Sequence, residues 1–155
     1  MAEKTLADVR GSIKSAMEEI TGIGVVTDFE PYFRTEAEIK QFFQATEDTA
    51  LLGWTITRER SEETDVTIGE INEREHLMVI RGYAALNLKA ASEKAFQDLV
   101  ETVCDRLRQE QIGDFDNEIA TGKPNVRTVE ARFLGNDLCH YAEITLPCTV
   151  RVAVP

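Results

Sequence analysis

The hydrophobic positions of this chain change period several times, and each change marks an element. Leu6, Val9, Ile13, Met17 and Ile20 recur at steps of three and four, one stripe of an amphipathic helix predicted from Thr5 to Ile20. Thr5 with Asp8 three residues on supplies an N-terminal cap, and Gly22 and Gly24 supply the stop. Gly22-Ile23-Gly24 lacks the third glycine of a phosphate loop and follows a helix, so it reads as that stop alone. Val25 to Tyr32 is a short strand closed by Pro31. A second helix runs from Thr35 to about Glu47, with Thr35 and Glu38 as its capping box and Ile39, Phe42 and Phe43 as its buried edge.

From Leu51 to Leu86 the pattern is that of strands. Trp54 and Ile56 start a half-buried strand with Trp54 in the core, and Leu77 to Ile80 are apolar on both faces, as an inner strand requires. Between them the chain is polar through Arg58 to Asp65, returns through Val66, Ile68 and Gly69, and is charged again from Glu70 to Glu75. Apolar roots with charged distal halves predict a hairpin that leaves the body of the domain. A strong helix follows, with Ser92 as its cap, Phe96, Leu99, Val100, Val103 and Leu107 inward, and Glu93, Lys94, Asp98, Glu101, Arg106 and Arg108 outward. Gly113 to Pro124 reads as a loop, and two strands joined at Gly135-Asn136-Asp137 complete the pattern. In the last, apolar Ala142, Ile144, Leu146, Cys148, Val150, Val152 and Val154 alternate with mostly polar neighbours, a strand of roughly 40 Å at ~3.3 Å per residue. That length exceeds what one compact subunit needs, and Pro147 within it predicts an edge position or a bulge. The order α-β-α-β-β-α-β-β predicts an α+β two-layer domain: a mostly antiparallel sheet, helices packed on one face, and a projecting charged β-hairpin.

Charge sharpens this picture. The 155 residues carry 17 Lys and Arg against 28 Asp and Glu, a net −11, and residues 58–75 alone hold seven acids against three bases. Gripping DNA, RNA or an anionic membrane needs clustered cations, so this acidity argues against those ligands. No apolar run approaches the roughly 18 residues of a membrane helix, and MAEKTLADVRGSIK reads as neither signal peptide nor anchor, so a single soluble domain made in a cytoplasm is expected.

Catalytic patterns are scarce. GxSxG, HExxH, a Walker loop and GxGxxG are all missing from the chain. Cys104, Cys139 and Cys148, with His76 and His140, lack the close ligand pairs of a zinc site. Cys139 and His140 are neighbours on a strand and therefore point to opposite faces, as do Cys139 and Cys148, nine residues apart. The carboxylate pairs Glu62/Glu63 and Asp114/Asp116 lie in polar stretches, without the apolar surroundings that would raise a pKa. Tyr83 and Tyr141 read equally as half-buried sheet residues or as interface residues. The expectation is no catalytic residue, no metal and no cofactor.

The stretches LADVRGSIKSAMEEITGIGVV, DFEPYF, IRGYAALN, SEKAFQDLVETVCDRLR and HYAEITLPCTVRV, in that order, resemble the tail terminator (tail completion) proteins of long-tailed bacteriophages and related tail-like particles. The resemblance covers most of the chain and rests on size and element order, since the family has no short catalytic signature. It implies a structural virion protein, assembled in the host cytoplasm. Its subunits form a ring, usually six-fold, that sits on the last tail-tube ring, stops tube growth and presents a docking surface to the head–tail connector or stopper. The partners it implies are further copies of the chain, the tube protein and the connector, with DNA passing through the ring unbound. Independently of the resemblance, the charged hairpin marks a candidate contact with a neighbouring subunit or the tube through Arg58, Arg60, Glu62, Glu63, Asp65, Glu70, Glu73, Arg74 and Glu75. Other readings are another neck component (a stopper or tube-like subunit), a small ring-forming ligand-binding domain or enzyme, and a monomeric adaptor.

Overall fold

The computed structural model of the chain describes residues 4–32, 35–44, 51–67, 71–108, 119–134 and 137–153. Its first helix, α1 (Leu6–Glu18), is closed by a reciprocal capping box. The Asp8 N–H donates to Thr5 Oγ1 at 3.2 Å, and the Thr5 N–H donates to Asp8 Oδ2 at 2.7 Å. These bonds hold the Asp8 carboxyl below the usual carboxylate range. Beyond the helix, Gly22 and Gly24 take φ of +76° and +83°, the left-handed region that a side chain disfavours, and the chain reverses into β1 (Val25–Thr27). The strand ends three residues in, short of Tyr32, and beyond it Glu30 accepts a hydrogen bond from Arg81 at 3.0 Å. Helix α2 is Glu36–Phe43, with the Glu38 N–H on Thr35 Oγ1; the side chain of Ile39 and residues 45–47 lie outside the described residues.

Strands β2 (Leu52–Thr67) and β3 (Ile71–Ala85) pair antiparallel along their whole length, as the apolar roots predict. Helix α3 (Ser92–Leu107) follows, then β4 (Ile119–Thr121), β5 (Asn125–Leu134) and β6 (Asp137–Ala153). The short β4 adds a strand inside the segment expected to be loop, while Asp114, Asp116, Glu118, Gly135 and Asn136 lie outside the described residues. The six strands form one mixed sheet in the order β1-β2-β3-β6, with β4 and β5 sharing the far side of β6 and only the β1–β2 pair parallel. The fold is an α+β two-layer domain with its long helices packed on one face and a charged β5–β6 hairpin at one side.

The core lies between that face and the two long helices. Trp54, Ile56, Met78, Ile80, Ala142, Ile144, Leu146 and Cys148 point to Val9, Ile13 and Met17 of α1 and to Phe96, Val100, Val103 and Leu107 of α3. Each fully buried large side chain contributes about 1.5–3 kcal/mol. Trp54 is fully buried, as its alternation with Ile56 predicts, and its indole N–H donates to the Ile23 carbonyl at 2.9 Å. Gly82, opposite it on β3, leaves room for the indole, which a Cβ would overlap. On the other face Gly53 does the same for Phe43 of α2, whose ring lies 5.4 Å from that of Tyr83.

Two expectations need correction. The long β6 is not surplus to its subunit: it pairs with β3 from Cys139 to Ala153 and with β5 and β4 on its other side, so it is the spine of the sheet. Pro147 meets the expected edge position locally, in the gap between β5, which pairs as far as Thr145, and β4, which pairs from Cys148, and so it costs no ladder bond. Its carbonyl accepts the Gly122 N–H at 2.8 Å, so its nitrogen faces the same way, into the break between β4 and β5. Nor does Ser92 cap α3. Ala91 is the cap, at φ +51°, and Ser92 is the first helical residue.

Candidate functional site

Beyond the reach of the helices the sheet continues as a charged arm. Arg58 through Asp65 of β2 are exposed without interruption, so this half of the strand buries nothing on either face. The arm is three-stranded rather than a bare hairpin, because β6 from Thr149 to Ala153 pairs with β3 from Ile71 to Glu75. A bulge between Arg58 and Arg60 sets the phase of the charges. After it, Glu62 stands opposite Glu75 and Thr64 opposite Glu73, and these four with Thr149 line a shallow hollow of about 170 Å³. Like charges directly opposite on a ladder cost stability, so the Glu62/Glu75 pair does not help the isolated subunit. On the opposite face Glu63 pairs with Arg74 at 3.5 Å, while Arg60, on the same face as the hollow, stands across from Leu77. Of the nine predicted residues, eight thus lie on the arm, with Glu62, Glu73 and Glu75 gathered at one hollow; Glu70 lies outside the described residues.

At the root of the arm sits His76, buried between Ser61 and Cys148 on the neighbouring strands, with Nδ1 lacking a hydrogen-bond partner. Burial, reinforced by Arg58 and Arg74, pushes its pKa down. Burial also pushes the Cys148 thiol up, to about 12, with Glu75 adding to the effect, so this sulfur is a poor nucleophile at neutral pH. All three cysteines are buried and outside any disulfide. Cys139 and His140 do point to opposite faces: Cys139 Sγ contacts the Arg132 carbonyl, while His140 Nε2 lies 2.7 Å from Ser92 Oγ and its ring stacks on Phe96.

The Ser92–His140 contact escaped sequence reasoning because 48 residues separate the pair. A serine on a histidine is the opening of a nucleophilic dyad, but the hydroxyl also accepts the Asn87 N–H at 2.7 Å. Among the described residues no carboxylate bonds the imidazole. The contact works as a latch that ties the first turn of α3 to β6. Beside it, Leu51, Leu52, Ala84, Phe96 and Leu99 line an apolar groove of about 340 Å³, and Leu88, Phe133 and Leu138 are exposed apolar residues of neighbouring segments.

The sheet face away from α1 and α3 carries a second set of charges that the sequence did not single out. Arg81 sits between Glu30, at 3.0 Å, and Glu143, at 3.8 Å; Arg127 joins Glu143 to Glu59, each at 3.2 Å. Burial lowers the Arg81 pKa, but Glu30, Tyr141 and Glu143 together outweigh it and leave the guanidinium more firmly charged than usual. Arg132 lies 3.8 Å over the Tyr141 ring, which in turn lies 5.3 Å from Tyr83. The available signal was that Arg81 and Glu143 interrupt apolar strands, and they prove to be cross-strand partners. Among the described residues no group of His, Cys, Asp and Glu is arranged to hold a metal, and no helix is long and apolar enough to cross a membrane. No protein-family model and no curated protein matches the chain.

Proposed function

We propose that the protein is a structural subunit of a ring that caps a tail tube, ends its polymerisation and offers a surface to the head–tail connector. The observation that carries this reading is the arm: a three-stranded extension whose β2 strand is exposed from Arg58 to Asp65 and sets Glu62 against Glu75. A long charged strand exposed throughout is suited to contact with a neighbour. The element order and the resemblance to tail terminators support the assignment to a tube end. In a six-membered ring, each copy at −11 would give a channel wall that repels passing DNA, the reverse of a binding surface.

Negative-stain imaging of the purified protein with and without tail tubes tests the reading. Six-fold rings at tube ends are expected. Reversing Glu62, Glu63 and Asp65 to Lys should abolish rings and let tubes grow past their normal length. Capping by the reversed variant at wild-type efficiency would overturn the role of the arm. A ring with a neutral or basic channel wall would overturn the DNA-repelling channel.

A further inference from the structure

The sheet ends in two open edges, and they lie on opposite sides of it. On one side β1 covers β2 only from Gly53 to Thr55, which leaves the ten residues Arg58 to Thr67 without an outer partner among the described residues. On the other, the ten-residue β5 pairs, among the described residues, with β6 alone. Long open edges are templates for another strand. The edges differ in sign. Residues 58–67 hold four acids against two arginines, net −2, whereas β5 itself (125–134) holds Arg127 and Arg132 against Glu130, net +1.

We infer that the arm edge of β2 in one copy pairs with the β5 edge of the next, so that the subunits join head to tail into a continuous sheet. This rests on the ring proposed above. Charge selects the pairing: two β2 edges or two β5 edges would each face like charge, while β2 against β5 is attractive. A head-to-tail contact between unlike surfaces is the kind that closes into a ring. Direction agrees too. Counting the reversals β2 to β3, β3 to β6 and β6 to β5, β5 runs opposite to β2, so copies joined in the same orientation into one sheet meet antiparallel at that edge.

The backbone groups on offer can be named. The Pro147 carbonyl points toward β4, so alternation along β6 turns Cys139, Tyr141 and Glu143 toward β5 and leaves Val129, Ala131 and Phe133 of β5 facing outward. The same alternation, checked by the Ala85 N–H on the Leu51 carbonyl, leaves Ser61, Glu63 and Asp65 facing outward from β2. Ala131 is level with His140 on β6, and Glu63 is level, through Arg74, with Val150, ten residues further along. Successive copies are therefore offset by ~33 Å along the strands, and a closed ring needs strands steeply inclined to its axis.

Proline tests this without breaking the subunit, because an edge strand tolerates it where the N–H faces solvent. Ala131→Pro and Ser61→Pro are each compared with wild type by native mass spectrometry, with circular dichroism as the check on folding. Each variant alone should lose the ring; mixed, they should form a heterodimer through the one intact pair of edges. If a proline variant misfolds, Glu63→Lys with Asp65→Lys replaces it, turning that edge from −2 to +2. That variant should lose the ring at low salt and recover part of it at high salt. Rings that persist in both proline variants, or in the lysine variant at low salt, would overturn the edge pairing while leaving the ring itself standing. A wild type that stays monomeric at its highest soluble concentration, even with tubes present, would overturn both.

Discussion

His76 is the residue at which the fold most visibly costs the protein something. Its ring is buried with Nδ1 unbonded, and its neutral form is favoured by burial and by Arg58 and Arg74. The unfolded chain binds a proton near the ordinary histidine pKa of about 6.5, whereas the folded chain does so only at lower pH. Stability is therefore unaffected above that value and falls as pH drops below it. Denaturant melts at pH 7 and pH 5 should show this loss, and His76→Gln should flatten the slope. The carboxylates lowered by the fold, Asp8 and Glu59, act in a more acid window. Glycines give a second contrast at this scale. Gly82→Ala places a methyl against Trp54 and should destabilise by about 1–3 kcal/mol. Gly11→Ala, inside α1 with open space at its Cβ, should raise stability by about 0.5–1 kcal/mol, and thermal melts of the two should move in opposite directions.

Elements were legible wherever a period ran long enough to declare itself. The stripe of α1, its Thr5/Asp8 box, the buried face of α3 and the inner run Leu77 to Ile80 all follow from spacing, and the structure repeats them. What spacing misses is contact between distant segments. The three residues of β4 exist only because β6 offers them a partner. Glu30, just beyond β1, meets Arg81, 51 residues away. Ser92, a good cap by local rules, is drawn instead to His140 and Asn87. Ser92→Ala, which leaves both groups without that partner, should cost about 1–3 kcal/mol in a denaturant titration, more than an ordinary exposed helix residue. The arm was legible as a charged hairpin, because polar stretches between apolar roots mark an excursion. Its third strand was not, since nothing local says that the end of β6 lies beside β3.

At the scale of the whole molecule, one fact reorganises the rest: β6 pairs with three of the five other strands described. It pairs with β3, β4 and β5, and its side chains Ala142, Ile144, Leu146, Cys148 and Val150 lie in the core. Because it follows the other described strands in chain order, most strand pairing waits until all of them have been made. A ribosome making this chain releases the β2–β3 hairpin and α3 well before the strand that joins them exists. Until then the inner edge of β3 is exposed, with apolar Met78 and Ile80 uncovered by their final neighbours. Contacts spanning so much sequence close slowly, and an open apolar edge invites association with the wrong partner in the interval. The acidic stretch between Arg58 and Glu75 occupies the same hairpin. Its repulsion keeps two nascent chains apart at the stage when they are most exposed to each other, so the charge that shapes the finished surface also protects the unfinished one.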